Sequence, residues 1–167
     1  GDILYLTGAA DELRKAFRKL KLPVKPLKSV MIAGGGRISH YLAEALLHQG
    51  SKVTLIERNE EMANAISGAI SGINVICDDA LAYFDSMSQT DIQRTDAFIT
   101  LTENDEYNLT AAMYGESQGI GKVISRISAK SRLKVLSPES KICTISREDV
   151  AADRILGYSR SLLNAED

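Results

Sequence analysis

Residues 29–58 read SVMIAGGGRISHYLAEALLHQGSKVTLIER. Val30 to Ala33 is a short apolar run, a buried strand by its length, and it feeds directly into Gly34, Gly35 and Gly36. From Ile38 the apolar residues Tyr41, Leu42, Ala45 and Leu46 recur at spacings of three and four, which predicts a helix with one covered face. Gly50 stands where such a helix stops. A second apolar run, Val53 to Ile56, ends at Glu57. Strand, glycine turn, helix, strand and acid thus follow one another within about thirty residues, the order that a dinucleotide-binding unit requires.

Each part has a physical task. Gly34 permits the tight turn, Gly36 lets a pyrophosphate approach the backbone, and the free N–H groups opening the helix receive its negative charge. Glu57, at the tip of the second strand, is placed to accept hydrogen bonds from ribose hydroxyls. A carboxylate there repels a 2′-phosphate and favours NAD(H) over NADP(H), an effect that the neighbouring Arg58 weakens. Ser39 replaces the third glycine of the pattern, and its hydroxymethyl group is expected to displace the helix slightly from the strand.

Composition narrows the class further. The 167 residues suffice for one well-covered core, and 20 basic side chains nearly balance 22 acidic ones. No nucleic-acid partner is expected from that charge. No apolar run reaches the length of a membrane span and no signal-peptide pattern is legible, so the reading is cytoplasmic, without direct membrane insertion. Cys77 and Cys143 lie at or near strands without C-x-x-C spacing, and they read as two reduced core thiols. No metal-site signature is present.

Outward from the central stretch, strand and helix alternate. Asn59 caps a helix to about Ile70 with Met62, Ala65, Ile66 and Ala69 inside. Asn74 to Cys77 is a strand, and Asp78, Asp79 and Ala80 open the next helix. The acids favour its dipole, and one of them is suited to accept the exocyclic amine of an adenine. Asp96 to Thr102 is a fourth strand, followed by a helix to about Gln118 with Thr102 and Asp105 as a capping box. That helix carries an inner apolar stripe through Leu109, Ala112 and Met113 and a second through Tyr107, Ala111 and Tyr114, so that it is expected to be covered on two sides, a hint of self-association. Thr102 and Asn104 lie after the strand that flanks the switch point of such a sheet and rank as secondary ligand contacts. Strands over 122–127 and 141–145, a short helix over 129–136 and a last helix from Ser146 complete the pattern. The fold class is therefore α/β, a Rossmann-like doubly wound parallel sheet of order 3-2-1-4-5-6. Before it, a strand at Ile3 to Leu6, a helical stripe through Leu13, Ala16, Phe17 and Leu20, and the prolines Pro23 and Pro26 cannot close a core of their own. They read as the tail of a preceding domain and a linker.

Catalytic machinery is not legible. His40 and His48 both lie on the first helix and neither is placed for proton transfer at a nicotinamide. No nucleophile with a base, no P-loop and no paired carboxylates stand on neighbouring strand ends. A nucleotide site without such machinery argues for a sensor. The rivals are the cofactor half of a small NAD-dependent oxidoreductase and a scaffold that has lost its ligand.

Dispersed motifs sharpen this. Gly34-Gly35-Gly36-Arg37-Ile38, Leu55-Ile56-Glu57-Arg58, Asp79-Ala80, Asp96-Ala97-Phe98-Ile99, Thr102 through Asp105-Glu106 to Asn108, and Val123-Ile124-Ser125-Arg126 together resemble the RCK (KTN) domains that regulate potassium transport. The likeness runs from Leu27 to about Arg160, and Gly1-Asp2-Ile3-Leu4 with Gly8 resembles the end of the small C-terminal RCK subdomain. It implies that 1–26 is the tail of a preceding RCK subdomain with its linker, 27–145 the nucleotide-binding domain, and 146–167 a crossover helix by which such units pair. It further implies a non-enzymatic regulator, a homo-oligomer (dimer or ring), peripheral to the inner face of the cell membrane and acting on a membrane-embedded potassium transporter subunit. The ligand implied is NAD(H), with ATP/ADP as the alternative. By the same resemblance Gly34, Gly36, Arg37 and Ile38, with Gly35 between them, hold the phosphates, and Glu57 and Arg58 the adenosine end. Asp79 and Ala80 take the adenine, and Thr102 and Asn104 the neighbouring rim. The family has glycine where Asp78 and Ser39 stand here.

Overall fold

The computed structural model describes residues 10–20, 26–128, 134–146, 148 and 150–152. The chain divides into two compact units, 1–26 with 151–167 and 27–150. In the first, α1 (Ala10–Lys19) closes with Arg18 and Lys19 in its last turn, where cations suit the carbonyl end of a helix. Leu20, just past its end, is exposed. The strand expected over 3–6, most of the proline linker and the last helix beyond 152 lie outside the described residues.

The second unit is built on six strands. They are β1 (Ser29–Ala33), β2 (Lys52–Ile56), β3 (Asn74–Ile76), β4 (Ala97–Thr100), β5 (Val123–Arg126) and β6 (Cys143–Ile145). All pairings are parallel, and the order β3-β2-β1-β4-β5-β6 is the one expected. Between the strands run α2 (Arg37–His48), α3 (Glu60–Ala69), α4 (Ala80–Ser86), α5 (Gln89–Gln93) and α6 (Asp105–Ser117). The five-residue α5, capped by Ser88 and anchored by buried Ile92, has too short a period to be read from sequence.

Alternation along the central strands divides the core. Val30 and Ile32 of β1 pack with Ala43, Leu46, Ile66 and Ile70 on the face covered by α2 and α3. Met31 and Ala33 pack with Phe84, Phe98, Ala111 and Ala112 on the face covered by α4 and α6. At the foot of the sheet the exposed Asp96 carboxylate accepts from the N–H groups of Lys28 (2.7 Å) and Ser29 (3.0 Å), fixing the start of β1 beside β4. Those two backbone hydrogen bonds hold its pKa below the ordinary carboxylate value. A depressed folded-state pKa contributes stability above the unfolded-state value and loses it as pH falls through the folded-state one. Asp96→Asn should therefore melt below the wild type at neutral pH, with the gap closing in acid. Melting temperatures that differ equally at pH 7 and pH 2 would contradict this.

Several side chains fall elsewhere than the periodicity indicates. The buried face of α2 is Ser39, Ala43 and Leu46, whereas Ile38 and Tyr41 are 44% and 66% exposed. In α3 the buried residues are Ala63 and Ile66, and Met62, Ala65 and Ala69 face outward. Small residues let a helix approach a parallel sheet closely, so Ser39 and Ala43 win the contact over bulkier neighbours. Ser39 is fully buried, and its Oγ has no hydrogen-bond partner among the described residues. Thr102 and Asp105 do not form the capping box; Asn104 caps α6 instead. Met113 is 40% exposed, and the stripe of Tyr107, Ala111 and Tyr114 is covered within the chain. Tyr114 meets Phe84 of α4 edge-on at 5.8 Å and reaches Asp85 with its hydroxyl. Cys77 and Cys143 are exposed thiols rather than core ones, because β3 and β6 are the edges of the sheet. Of the short helix expected over 129–136, residues 129–133 lie outside the described ones.

Candidate nucleotide site

The carboxyl ends of β1, β2 and β4 converge on the glycine loop. The ladder continues one step past each strand: Gly34 N–H donates to Ile56 O (2.8 Å), Glu57 N–H to Ile76 O (3.0 Å) and Leu101 N–H to Ala33 O (2.9 Å). The loop is thereby seated on the sheet before any ligand is considered. Gly34 takes φ +102°, and a Cβ there would lie 3.0 Å from the backbone nitrogen of Thr102. At Gly35 a Cβ would meet Ile66 Cδ1 at 2.7 Å and the Glu57 carboxylate at 3.0 Å. Gly36 is different. Its φ of −69° and ψ of 174° suit any residue, and none of the described residues lies within 4 Å of a Cβ placed on it.

Helix α2 starts at this point without a cap. Gly36 supplies no side-chain hydrogen bond and no acid stands in the first turn. The starts of α3, α4, α5 and α6 are each held by a side chain, from Asn59, Asp79, Ser88 and Asn104. Among the described residues no side chain accepts from the first-turn N–H groups of α2, at the positive end of its dipole, a setting suited to a bound anion.

Two chambers flank the loop. The first, about 330 Å³, is lined by the three glycines, Glu57, Arg58, Met62, Asp78, Ala80, Thr102, Glu103 and Tyr107. The second, about 470 Å³, continues past Gly35 and Gly36 between Arg37, Ile38, His40, Tyr41, Leu101 and Arg126. Thus Gly34, Gly35, Gly36, Glu57, Arg58, Ala80 and Thr102 are brought together in the first chamber, while Arg37 and Ile38 belong to the second. Asn104 lines neither; its Oδ1 accepts from Tyr107 N–H at 2.8 Å as the cap of α6. His40, which the sequence places away from any chemistry, lines the second chamber, with Nε2 3.7 Å from Glu44 Oε1.

Glu57 spans the loop. Oε2 accepts from Gly35 N–H at 2.6 Å and Oε1 from Asn59 N–H at 2.8 Å. Asp79, unlike its neighbours Asp78 and Ala80, is not among the lining residues of either chamber, and its Oδ1 caps α4 through Leu81 N–H (2.9 Å) and Ala82 N–H (3.4 Å). Its Oδ2 accepts from the Tyr107 hydroxyl at 3.0 Å and lies 3.6 Å from Arg58 Nη1. The Arg58 guanidinium sits over the Tyr107 ring, 5.2 Å from its centre. Burial, and then the hydrogen bond to Asp79, push the Tyr107 hydroxyl above the ordinary tyrosine pKa.

Sequence reasoning missed Tyr107 as a site residue, and missed what Asn108 does. Asn108 is fully buried. Its Oδ1 accepts from the N–H (2.9 Å) and hydroxyl (2.7 Å) of Thr102, and its Nδ2 donates to the carbonyls of Thr102 (2.9 Å) and Arg126 (3.0 Å). One amide thus fixes the loop after β4 to the end of β5. A polar residue three positions into a helix, on its inner face, is the signal that marks it.

Residues 30–145 match the TrkA-N domain model, which covers well over half of the chain. The chain belongs to the TrkA-N domain family. Among relatives of this TrkA-N domain is the Trk system potassium uptake protein TrkA of Vibrio alginolyticus, 36% identical over 159 residues, or 95% of this chain and 34% of that protein. The TrkA homolog of Methanothermobacter thermautotrophicus is 33% identical over 134 residues, 80% of this chain and 59% of that one. The TrkA-N domain chain thus spans about a third of the Vibrio protein's length. Among solved structures, the NAD(P)-binding domain of an exopolyphosphatase-related protein from Archaeoglobus fulgidus superposes with a TM-score of 0.64 at 16% identity, covering 81% of this chain and 98% of that one. That likeness establishes the Rossmann-like fold. The family resemblance read from the dispersed motifs is borne out.

Proposed function

We propose that this chain is the nucleotide-sensing part of a potassium-uptake regulator, a cytoplasmic subunit without enzymatic turnover that binds NAD(H) or ATP/ADP and acts on a membrane-embedded transporter subunit. The observation that carries the reading is the start of α2 at Gly36, uncapped by any side chain among the described residues, at the mouth of a crevice. In this reading the first-turn N–H groups, with Arg37 beside them, hold phosphate. Glu57 holds the ribose hydroxyls, and Asp79 and Ala80 face the base. Glu57 has both oxygens committed to backbone N–H groups, which suits a holding rather than a proton-transferring role. The names of the TrkA relatives support the link to potassium uptake. Among the described residues no helix is long and apolar enough to cross a membrane, in keeping with action through a partner.

The arrangement of domains belongs to the same proposal: 1–26 as the tail of a preceding unit, 27–145 as the sensor and 146–167 as the element through which two copies pair. A nucleotide regulates such a pair by binding one of its arrangements more tightly than the other.

Calorimetric titration of the chain with NADH, NAD, ATP and ADP tests the site. At least one should bind, and Glu57→Ala should lower its affinity about 10- to 100-fold, the loss expected when charge-assisted hydrogen bonds to two ribose hydroxyls disappear. Undiminished affinity in a folded Glu57→Ala protein would remove Glu57 from the site. Solution scattering that stays the same with and without saturating nucleotide would count against a change of pairing.

A further inference from the structure

Ala80 and Tyr107 line the first chamber, and Ala80 N–H forms with the carboxylate of the preceding residue, Asp79, a pair whose hydrogen-bonding pattern is specific. Ala80 N–H is a donor, and it gives its hydrogen to the Tyr107 hydroxyl oxygen at 3.0 Å. The Asp79 carboxylate is an acceptor, and its Oδ2 takes the hydrogen of that same hydroxyl at 3.0 Å. A donor and an acceptor side by side match the Watson–Crick edge of adenine, whose N1 accepts and whose exocyclic amine donates. Guanine presents the reverse, an N1–H donor and an O6 acceptor, and would set like against like at both positions. Tyr107 satisfies the pair with one hydroxyl that accepts from one group and donates to the other.

We infer that Tyr107 is a resident stand-in for the base: its hydroxyl fills the adenine-reading pair formed by Ala80 N–H and Asp79, and adenine gains these contacts only when that hydroxyl leaves. The inference rests on the reading of the crevice as an adenine-nucleotide site and adds to it the residue that sets its affinity. A backbone N–H has a single hydrogen, so Ala80 cannot serve the tyrosine and a base nitrogen together. Asp79 Oδ2 accepts a single hydrogen, from the Tyr107 hydroxyl, and as a carboxylate oxygen it has room for a second, so the exclusion rests on the one hydrogen of Ala80 N–H. Arg58, stacked on the Tyr107 ring, loses that platform when the ring shifts, and its planar guanidinium can lie on the incoming base instead. The outcome is a site that is adenine-selective but held below its full affinity by its own tyrosine.

Tyr107→Phe separates the hydroxyl from the ring. It keeps the surface under Arg58 and deletes the competing group, and titration with ADP and with GDP reads the effect. ADP should bind about tenfold more tightly to Tyr107→Phe than to the wild type, the size of one released hydrogen-bonded pair, while GDP stays weak in both. In the unaltered chain labelled with ¹³C-tyrosine, ADP should shift the Tyr107 resonance as its hydroxyl loses Asp79. Equal or weaker ADP binding by a folded Tyr107→Phe protein, or a Tyr107 resonance indifferent to saturating ADP, overturns the inference and leaves the nucleotide site standing. Absence of ADP binding by both proteins overturns the nucleotide reading of the crevice itself, and this inference with it.

Discussion

Gly36→Asp is expected to abolish nucleotide binding, lowering affinity at least about 100-fold, while leaving the protein as stable as before or slightly more so. The position accepts a side chain without strain, at φ −69° with none of the described residues within 4 Å of a Cβ. An aspartate there is a good helix cap. Its carboxylate would accept from the first-turn N–H groups of α2 and add a few tenths of a kcal/mol relative to glycine. The same carboxylate would stand where phosphate oxygens need to be, consuming their donors and repelling their charge, a loss of about 3 kcal/mol or more in binding. Opposite signs for stability and affinity make the result diagnostic, because a merely damaged protein loses both. Calorimetry with ADP and NADH, run beside thermal melts, measures the two together. Retention of near wild-type affinity by Gly36→Asp would show that the α2 start does not hold the phosphates.

The second large effect concerns stability. Asn108→Ala should cost about 3–5 kcal/mol, read by urea unfolding as a fall in midpoint with little change in slope. Truncation removes four hydrogen bonds and leaves Thr102 N–H and the Arg126 carbonyl without their Asn108 partner, while the Thr102 carbonyl retains only the longer contact from Arg126 Nη1 at 3.4 Å. Each stranded backbone group costs about 1–3 kcal/mol, partly recovered where water enters. Neighbouring polar groups share the damage. Thr100 Oγ1 lies 2.9 Å from Ser125 Oγ and 3.1 Å from the Asn108 carbonyl, and Ser128 N–H donates to Asp105 at 2.9 Å, so the start of α6 is bound to both strand ends. Asn108→Asp should not rescue the loss. It keeps the acceptor for Thr102 but turns a second oxygen toward two carbonyls and buries a charge. A penalty below about 1 kcal/mol for Asn108→Ala would mean that water replaces the amide.

Tyr107 and Asn108 are adjacent in α6, and together they show how the site joins the fold. One lines the first chamber, and the other fastens the strand ends on which the crevice is built. Their roles were not legible in the sequence because each depends on partners far along the chain. Tyr107 meets Asp79 across 28 positions, and Asn108 meets Arg126 across 18. The glycine loop was legible because its logic is local: Gly34 needs its positive φ, and Glu57 follows at the end of the next strand.

The helix faces divide in the same way. Spacing alone placed α2 and α3 and gave their lengths to within a residue or two, since a period of 3.6 is a property of consecutive residues. Which residues turn inward was a matter of tertiary packing. Ser39 and Ala43 go under because the sheet admits small side chains at closest approach, and Ile38, Tyr41 and Met62 are left beside the crevice. The two cysteines, read as core thiols, are exposed because only the assembled sheet decides which strands are its edges.

From the sequence by itself came the α/β class, the parallel order β3-β2-β1-β4-β5-β6, the phosphate-type loop and the acid after β2. Each is written in short-range periodicity or turn chemistry, which the chain carries before it folds. The tertiary structure decided the uncapped state of α2 in its setting, the Tyr107 hydroxyl between Ala80 and Asp79, and the Asn108 bridge. Those depend on distances between residues that only packing brings together, and a buried polar group reveals its purpose only when its partners can be counted.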